Sequence, residues 1–276
     1  MSLKHLSKEL TSYDLLKTVA VLLMLVDHTG YYFFPDDDWW RVFGRLCVPI
    51  WFFLIGYARS RDLGPKLWIG MLVLVFASGI TGMGFFPVNI LGTMIVIRLV
   101  IDKVMVRSMQ VPEALWQVST IFILLTMPSS YFFEYGSLAI VMAMYGWLVR
   151  NHLDYAQGTI QMQRFFFLAL GSFTFLQAFF FAFDQNQIVV MCAGTLVVMV
   201  GLMFFKPHSF SGTGEGAKAI LFAPFRFMGR WTLEIYVAHL LVFKALVVVL
   251  QPDRFTFLDW RLIPESMVLS AISGAG

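Results

Sequence analysis

Apolar stretches of membrane-spanning length recur from residue 13 to residue 250, and no period-two alternation of apolar and polar residues interrupts them. That recurrence constrains the fold more than any other feature. A backbone in hydrocarbon must satisfy its own N–H and C=O groups, which leaves helices or closed barrels, and the missing alternation removes the barrel. Composition agrees: 59% of residues are hydrophobic and 13% charged, about half the charged share of a soluble domain. The chain therefore reads as an all-α, polytopic membrane protein. Polar punctuation predicts helices over 13–34, 42–58, 66–86, 88–102, 113–130, 134–150, 164–183, 187–205 and 227–250. The fourth opens at "FFPVN" and reads as a half-helix or a tilted one. Residues 262–276 are weakly apolar and read as a surface segment or the start of a tenth helix. No linker or composition shift divides residues 1–276, so one domain is expected. No internal repeat is visible, which argues against an inverted-repeat transporter. No cleavable signal peptide is expected, because the first apolar run is long and lacks a small-residue cleavage motif.

Lysine and arginine fix the expected orientation. With the N-terminus in the cytoplasm, most of them, from Lys4 and Lys8 to Arg226 and Arg230, fall on the inner side, whereas Arg41, Arg45, Arg254 and Arg261 fall outside. A net charge of +3 gives no reason to expect nucleic acid. Cys47 and Cys192 lie inside apolar runs and read as small core residues. The loop "HSFSGTGEGAK", residues 208–218, reads as a flexible linker rather than a phosphate cradle, since no strand-to-helix context surrounds it.

The first run holds the residues that need explaining. Asp14, Lys17, Asp27 and His28 share one helix, and ionisable groups in hydrocarbon are costly enough that they usually mark function. Lys17 and His28 are eleven positions apart, about three turns plus 20°, so they share a face and stand roughly 16 Å apart along the axis. Lys17 alone would read as snorkelling to lipid phosphate, and His28 alone as a neutral packing histidine. The Asp27–His28 pair favours a site. Asp27 points about 100° from His28 and need not bond to it. Arg45, near the outer end of the second helix, is in position to pair with Asp27, either for the site or to lock the hairpin. Pro49 and Gly56 predict a kinked or closely packed second helix. In the last helix Tyr236 and His239 share a face, so both histidines are expected to line one polar cavity. Arg230 and Glu234 read as an i,i+4 pair. Asn89, Glu134 and Asp184 read as caps or helix-end residues.

"LLKTVAVLLMLVDHTG" followed by "FGRLCVPIWFFLIGYARSR" resembles the TraX family, F-pilin acetylase-like proteins within the broader integral-membrane acyltransferases. The likeness is specific over about the first seventy residues, with Lys17, Asp27, His28, Gly30, Gly44, Arg45 and Pro49 in place. Lys17 and His28 also match the basic-x10-His spacing of those enzymes, and "TLEIYVAH" resembles their last segment. The resemblance implies nine to ten transmembrane helices around a pore-like active site in a bacterial inner membrane. Acetyl-CoA would enter from the cytoplasm, with Lys17, Arg59 and Arg61 as its contacts. His28 would be the catalytic histidine with Asp27 beside it, and Arg45, Tyr236 and His239 in support. Lys17 stands where arginine is common in these families, and it supplies charge without a bidentate fork. The implied reaction moves an acetyl group to an amine or hydroxyl of an acceptor protein or glycan in the outer half of the membrane. No metal is expected, because His28 lacks ligand-spaced partners. Membrane lipid and another membrane protein are the other expected partners. Two competing readings are a proton-coupled transporter with Asp27, His28 and His239 as relay, and a non-enzymatic subunit of a membrane assembly.

Overall fold

The computed structural model describes residues 8–255 and 257–263. Its first element, β1 (Leu10–Thr11), leads directly into α1 (Ser12–Phe33). A capping box starts that helix: the Asp14 amide donates to Thr11 Oγ1 at 3.1 Å, and the Thr11 amide donates to Asp14 Oδ2 at 3.0 Å. Asp14 is thus explained by the helix end it closes.

The predicted 42–58 helix is two segments, α2 (Trp39–Gly44) and α3 (Cys47–Tyr57). Pro49 causes the break. It has no N–H for the Arg45 carbonyl, and its ring crowds that oxygen. α4 (Pro65–Ile80) ends earlier than predicted, because Gly82 and Gly84 take positive φ values of 69° and 81° and turn the chain out of the helix. α5 (Ile90–Ser108) is no half-helix. Asn89 caps it, accepting from Leu91 N at 3.1 Å, and it runs on through Asp102, Lys103 and Arg107. The predicted 113–130 helix divides into α6 (Pro112–Leu124) and α7 (Thr126–Ser130), where Pro128 repeats the effect of Pro49 on Leu124. α8 (Leu138–Asn151), α9 (Gly158–Phe181) and α10 (Gln185–Met203) follow, the last opened by a capping box between Asp184 and Gln187. β2 (Ser209–Phe210), α11 (Gly216–Leu221), α12 (Ala223–Arg230) and α13 (Thr232–Leu250) complete the described elements. The segment expected to dock or start a further helix lies, from residue 264 on, outside the described residues.

Among the described residues, four stretches are long and apolar enough to cross a membrane: Trp39–Tyr57, Gly158–Phe181, Gln185–Met203 and Thr232–Leu250. Pro65–Ile80 and Glu113–Leu124 are apolar but shorter. The chain is accordingly an all-α membrane protein.

α3 and α8 form the centre. Every residue of α3 is buried, and so are nearly all of α8, as expected for helices apolar all round. Their backbones meet through two glycines. A Cβ on Gly56 would lie 1.8 Å from the Ala143 carbonyl oxygen, and one on Gly146 would lie 2.2 Å from that of Phe53. The outer helices α9, α10 and α13 instead expose Phe167, Phe175, Val197 and Val249, the faces that a lipid phase covers.

The glycine-rich loop is not a loose linker. β2 pairs antiparallel with β1, Leu10 opposite Phe210. Positive φ at Gly212 and Gly216 then turns the chain into α11. The Thr213 and Gly214 amides donate to Glu9 Oε2 at 2.8 and 3.2 Å. The arrangement is strand, turn and helix after all, with an internal carboxylate in the anion seat. Arg230 adds bonds to the Glu9 carbonyl (2.8 Å) and to Asp14 (3.4 Å). This clasp ties the start of α1 to the approach to α13.

Candidate active site

α1, α3, α4, α5 and α13 line an open cavity of about 630 Å³, within the range of small-molecule and cofactor sites. Lys17, Lys66 and Arg98 line one end, while Asp27, His28, Glu134, Tyr135 and Tyr236 line the other. Apolar side chains such as Met24, Trp51, Leu91 and Met94 lie between. Lys17 and His28 occupy the same wall, three turns apart on α1.

At the imidazole end, His28 Nδ1 lies 2.7 Å from His239 Nε2, and His239 Nδ1 lies 2.7 Å from the Ile235 carbonyl oxygen. The Tyr236 ring stands 5.9 Å from that of His28. The two histidines, 211 positions apart, are therefore one unit. His239 itself bonds to the site rather than lining the cavity. Asp27 is not bonded to His28. Its Oδ1 holds Arg41 Nη1 at 2.9 Å and Arg45 Nε at 3.2 Å, with the carboxylate side chain only 4% exposed and both arginines 12%. Gly44 permits this approach, since a Cβ there would lie 2.3 Å from Asp27 Cα. Both guanidinium groups stack on Phe181, at 5.5 and 4.8 Å, and Arg45 also covers Tyr135 at 5.0 Å. The predicted Arg45–Asp27 pair is present, and Arg41 joins it. Arg41 sits one turn before Arg45, and that i,i+4 spacing was the signal that could have found it. Glu134, read as a helix-end residue, is that and more. Its Oε2 accepts from Ile90 N at 2.8 Å, and the residue also lines the cavity.

At the cationic end, Lys17 has no hydrogen-bond or ion-pair partner among the described residues, and Arg98 donates from Nη1 to the Asp62 carbonyl at 2.5 Å while its buried Nε has no partner. Arg98 was missed in the sequence because nothing local links it to Lys17. Lys66 pairs with Glu234 at 2.7 Å. The i,i+4 pair of Arg230 and Glu234 does not form, since the break at Trp231 puts them on different helices and Arg230 turns to Asp14. Arg59 and Arg61 do not line the cavity. Arg59 is exposed beyond the end of α3. Arg61 grips Asp102 through Nε and Nη2, both at 2.8 Å, and donates to the carbonyls of Ile55, Gly56 and Ala58. It closes the C-terminus of α3.

Cys47 is buried in the cavity wall, whereas Cys192, expected in the core, is exposed on α10. Lys244 does not line the cavity and bonds to Ser78 Oγ and Met83 Sδ, each at 3.0 Å. Among the described residues no three His, Cys, Asp or Glu side chains gather as a metal site.

Apolar helices around a cavity with cations at one end and a partly buried, hydrogen-bonded histidine pair at the other define an α-helical membrane protein with a built site. The chain belongs to the TraX protein family, whose pattern it matches over residues 12–247. A Rickettsia prowazekii (strain Madrid E) protein, described as uncharacterized, is 35% identical over 82 residues, 29% of this chain and 33% of that protein. The chain thus spans about a third of the length of the curated relative it matches. No solved structure matches it.

Proposed function

We propose that this protein is an acyl-CoA-dependent acyltransferase of the bacterial inner membrane, transferring an acetyl group to an acceptor amine or hydroxyl. One observation carries the reading: a single cavity joins Lys17 and Arg98, neither in an ion pair among the described residues, to His28. An elongated donor that is anionic at one end and reactive at the other, such as acetyl-CoA, matches both ends. In this reading the chain crosses the membrane nine to ten times with its N-terminus in the cytoplasm, so the cationic end faces the cytosol. Lys17 and Arg98 take the donor's phosphates, and the apolar middle takes its arm. Membership in the TraX family supports an acceptor of protein type, a free N-terminus, with a glycan hydroxyl as the other class.

His28 acts as general base. The acceptor's lone pair attacks the thioester carbonyl carbon while His28 takes the acceptor's proton. Tyr236 stabilises the charge that develops on the carbonyl oxygen. Collapse of the tetrahedral intermediate breaks the C–S bond, and the departing sulfur receives the proton.

Thermal unfolding of the detergent-purified protein with and without acetyl-CoA tests this. A ligand at a hundredfold its dissociation constant stabilises by about 2.7 kcal/mol. Protection in the wild type and in His28→Ala, but not in Lys17→Ala or Arg98→Ala, is the expected pattern. Loss of acetyl transfer in His28→Ala by roughly 10²- to 10⁴-fold accompanies it. No protection in the wild type overturns the donor site and leaves the hydrogen-bonded histidines to a proton-relay transporter.

A further inference from the structure

His28 needs a partner to choose which ring nitrogen carries its proton, and Asp27 is not that partner. The Asp27 carboxylate is held by Arg41 and Arg45. The ring that does touch His28 is His239, through the 2.7 Å contact between His28 Nδ1 and His239 Nε2. The direction of that bond follows from the next one. His239 Nδ1 meets the Ile235 carbonyl oxygen at 2.7 Å, and a carbonyl oxygen only accepts, so Nδ1 of His239 carries the hydrogen. In a neutral imidazole the other nitrogen then holds a lone pair. No carboxylate lies within ion-pair distance of His239 among the described residues to keep it cationic; its polar contacts are His28 and the Ile235 carbonyl. Nε2 of His239 therefore accepts, and Nδ1 of His28 donates. The ring planes are 22° apart with centroids at 4.9 Å, the geometry of two imidazoles meeting end to end.

We propose that His239 fixes His28 in the Nδ1–H tautomer, leaving Nε2 as the nitrogen that takes the acceptor's proton, and that the pair shares the resulting charge. The catalytic part of this rests on the reading of His28 as base; the tautomer does not. In the step, the acceptor's N–H or O–H bond breaks as its lone pair bonds to the thioester carbonyl carbon, and the proton goes to His28 Nε2. The imidazolium keeps its Nδ1–H on His239 Nε2. Transfer of that proton along the bond moves the charge to His239, whose Nδ1–H already faces the Ile235 carbonyl. When the C–S bond breaks, the sulfur takes the proton from Nε2 and the neutral pair is restored. The sum is an acylated acceptor and a free thiol, with no further reactant. His239 touches neither substrate and is a positioning residue, the role that a buried carboxylate fills beside the base of serine hydrolases.

The test pairs His239→Leu, which removes the acceptor, with His239→Gln, whose carboxamide oxygen can replace it. The expected result for His239→Leu is a fall in kcat of about tenfold or more, with the KM for acetyl-CoA and the thermal protection unchanged, and partial recovery in His239→Gln. Histidine-labelled ¹⁵N spectra give a readout independent of turnover. The wild type is expected to show His28, assigned by its loss in His28→Ala, protonated on Nδ1, and His239→Leu to shift it toward the Nε2–H form. A wild-type His28 protonated on Nε2 overturns the proposal, as do equal rates in the leucine and glutamine variants. Should the wild type transfer no acetyl group while His28 is protonated on Nδ1, the tautomer stands and the acyltransferase reading fails.

Discussion

Asp27 carries a double electrostatic duty. It faces two arginines, and all three groups are nearly removed from solvent. Removing one member of a buried ion pair leaves an uncompensated charge, at about 3–5 kcal/mol. Asp27→Asn is expected to lower stability by about that much, read as the detergent unfolding midpoint. Arg45→Leu added to it should recover part of the loss, because the two positions touch and cannot act additively. Equal losses in the single and double variants would mean that Arg41 alone needs the carboxylate. The sequence made Asp27 legible as a site residue and Arg45 as its partner, since a short turn joins their helices. It could not show that the carboxylate would be turned wholly toward arginines and away from His28, for both faces of a helix look alike until neighbours are placed.

Two glycines decide how closely the central elements approach. A Cβ on Gly56 would collide with a carbonyl of α8, whereas Gly171 in α9 has nothing within 4 Å of the same position. Gly56→Ala must push α3 and α8 apart, at roughly 1–3 kcal/mol or more. Gly171→Ala should instead be neutral or stabilising by up to about 1 kcal/mol, from helix propensity alone. Comparing their unfolding midpoints checks the close approach; a harmless Gly56→Ala would refute it. The clasp makes a different prediction. The Thr213 hydroxyl, with the neighbouring amides, holds the Glu9 carboxyl below its ordinary value. The folded state therefore binds that proton less readily than the unfolded state does. The contribution is present at neutral pH and is lost as pH falls through the lowered value. Exchange of the Thr213 and Gly214 amides, corrected for the intrinsic rate, should accelerate in acid for the wild type and show no such step in Glu9→Gln.

Across the whole molecule, hydropathy located the helices well, because each apolar run needs its own hydrogen bonds. It missed the breaks at Arg45, Leu125 and Trp231, which are set by local backbone chemistry inside runs that read as continuous. The site divided along the same line. The Lys17 and His28 stripe was legible from 3.6-residue geometry, and the shared face of Tyr236 and His239 likewise. Arg98, and the real positions of Arg59 and Arg61, depend on which distant helices meet, and no periodicity encodes that. The cavity itself can be probed through Cys47 in a Cys192→Ala background, where a small maleimide should label it slowly and acetyl-CoA should slow it further. Labelling that ignores acetyl-CoA would place the donor elsewhere. The clasp has a mechanical consequence. α1 and α13 leave it together and meet again at the two imidazoles, like the arms of tongs joined at a rivet. His28 stands seventeen residues beyond Thr11, a lever of roughly 25 Å. Each degree of play at the rivet would move one ring against the other by about 0.4 Å at that length. A contact of 2.7 Å tolerates little such play, so wear at the joint would be felt at the tips.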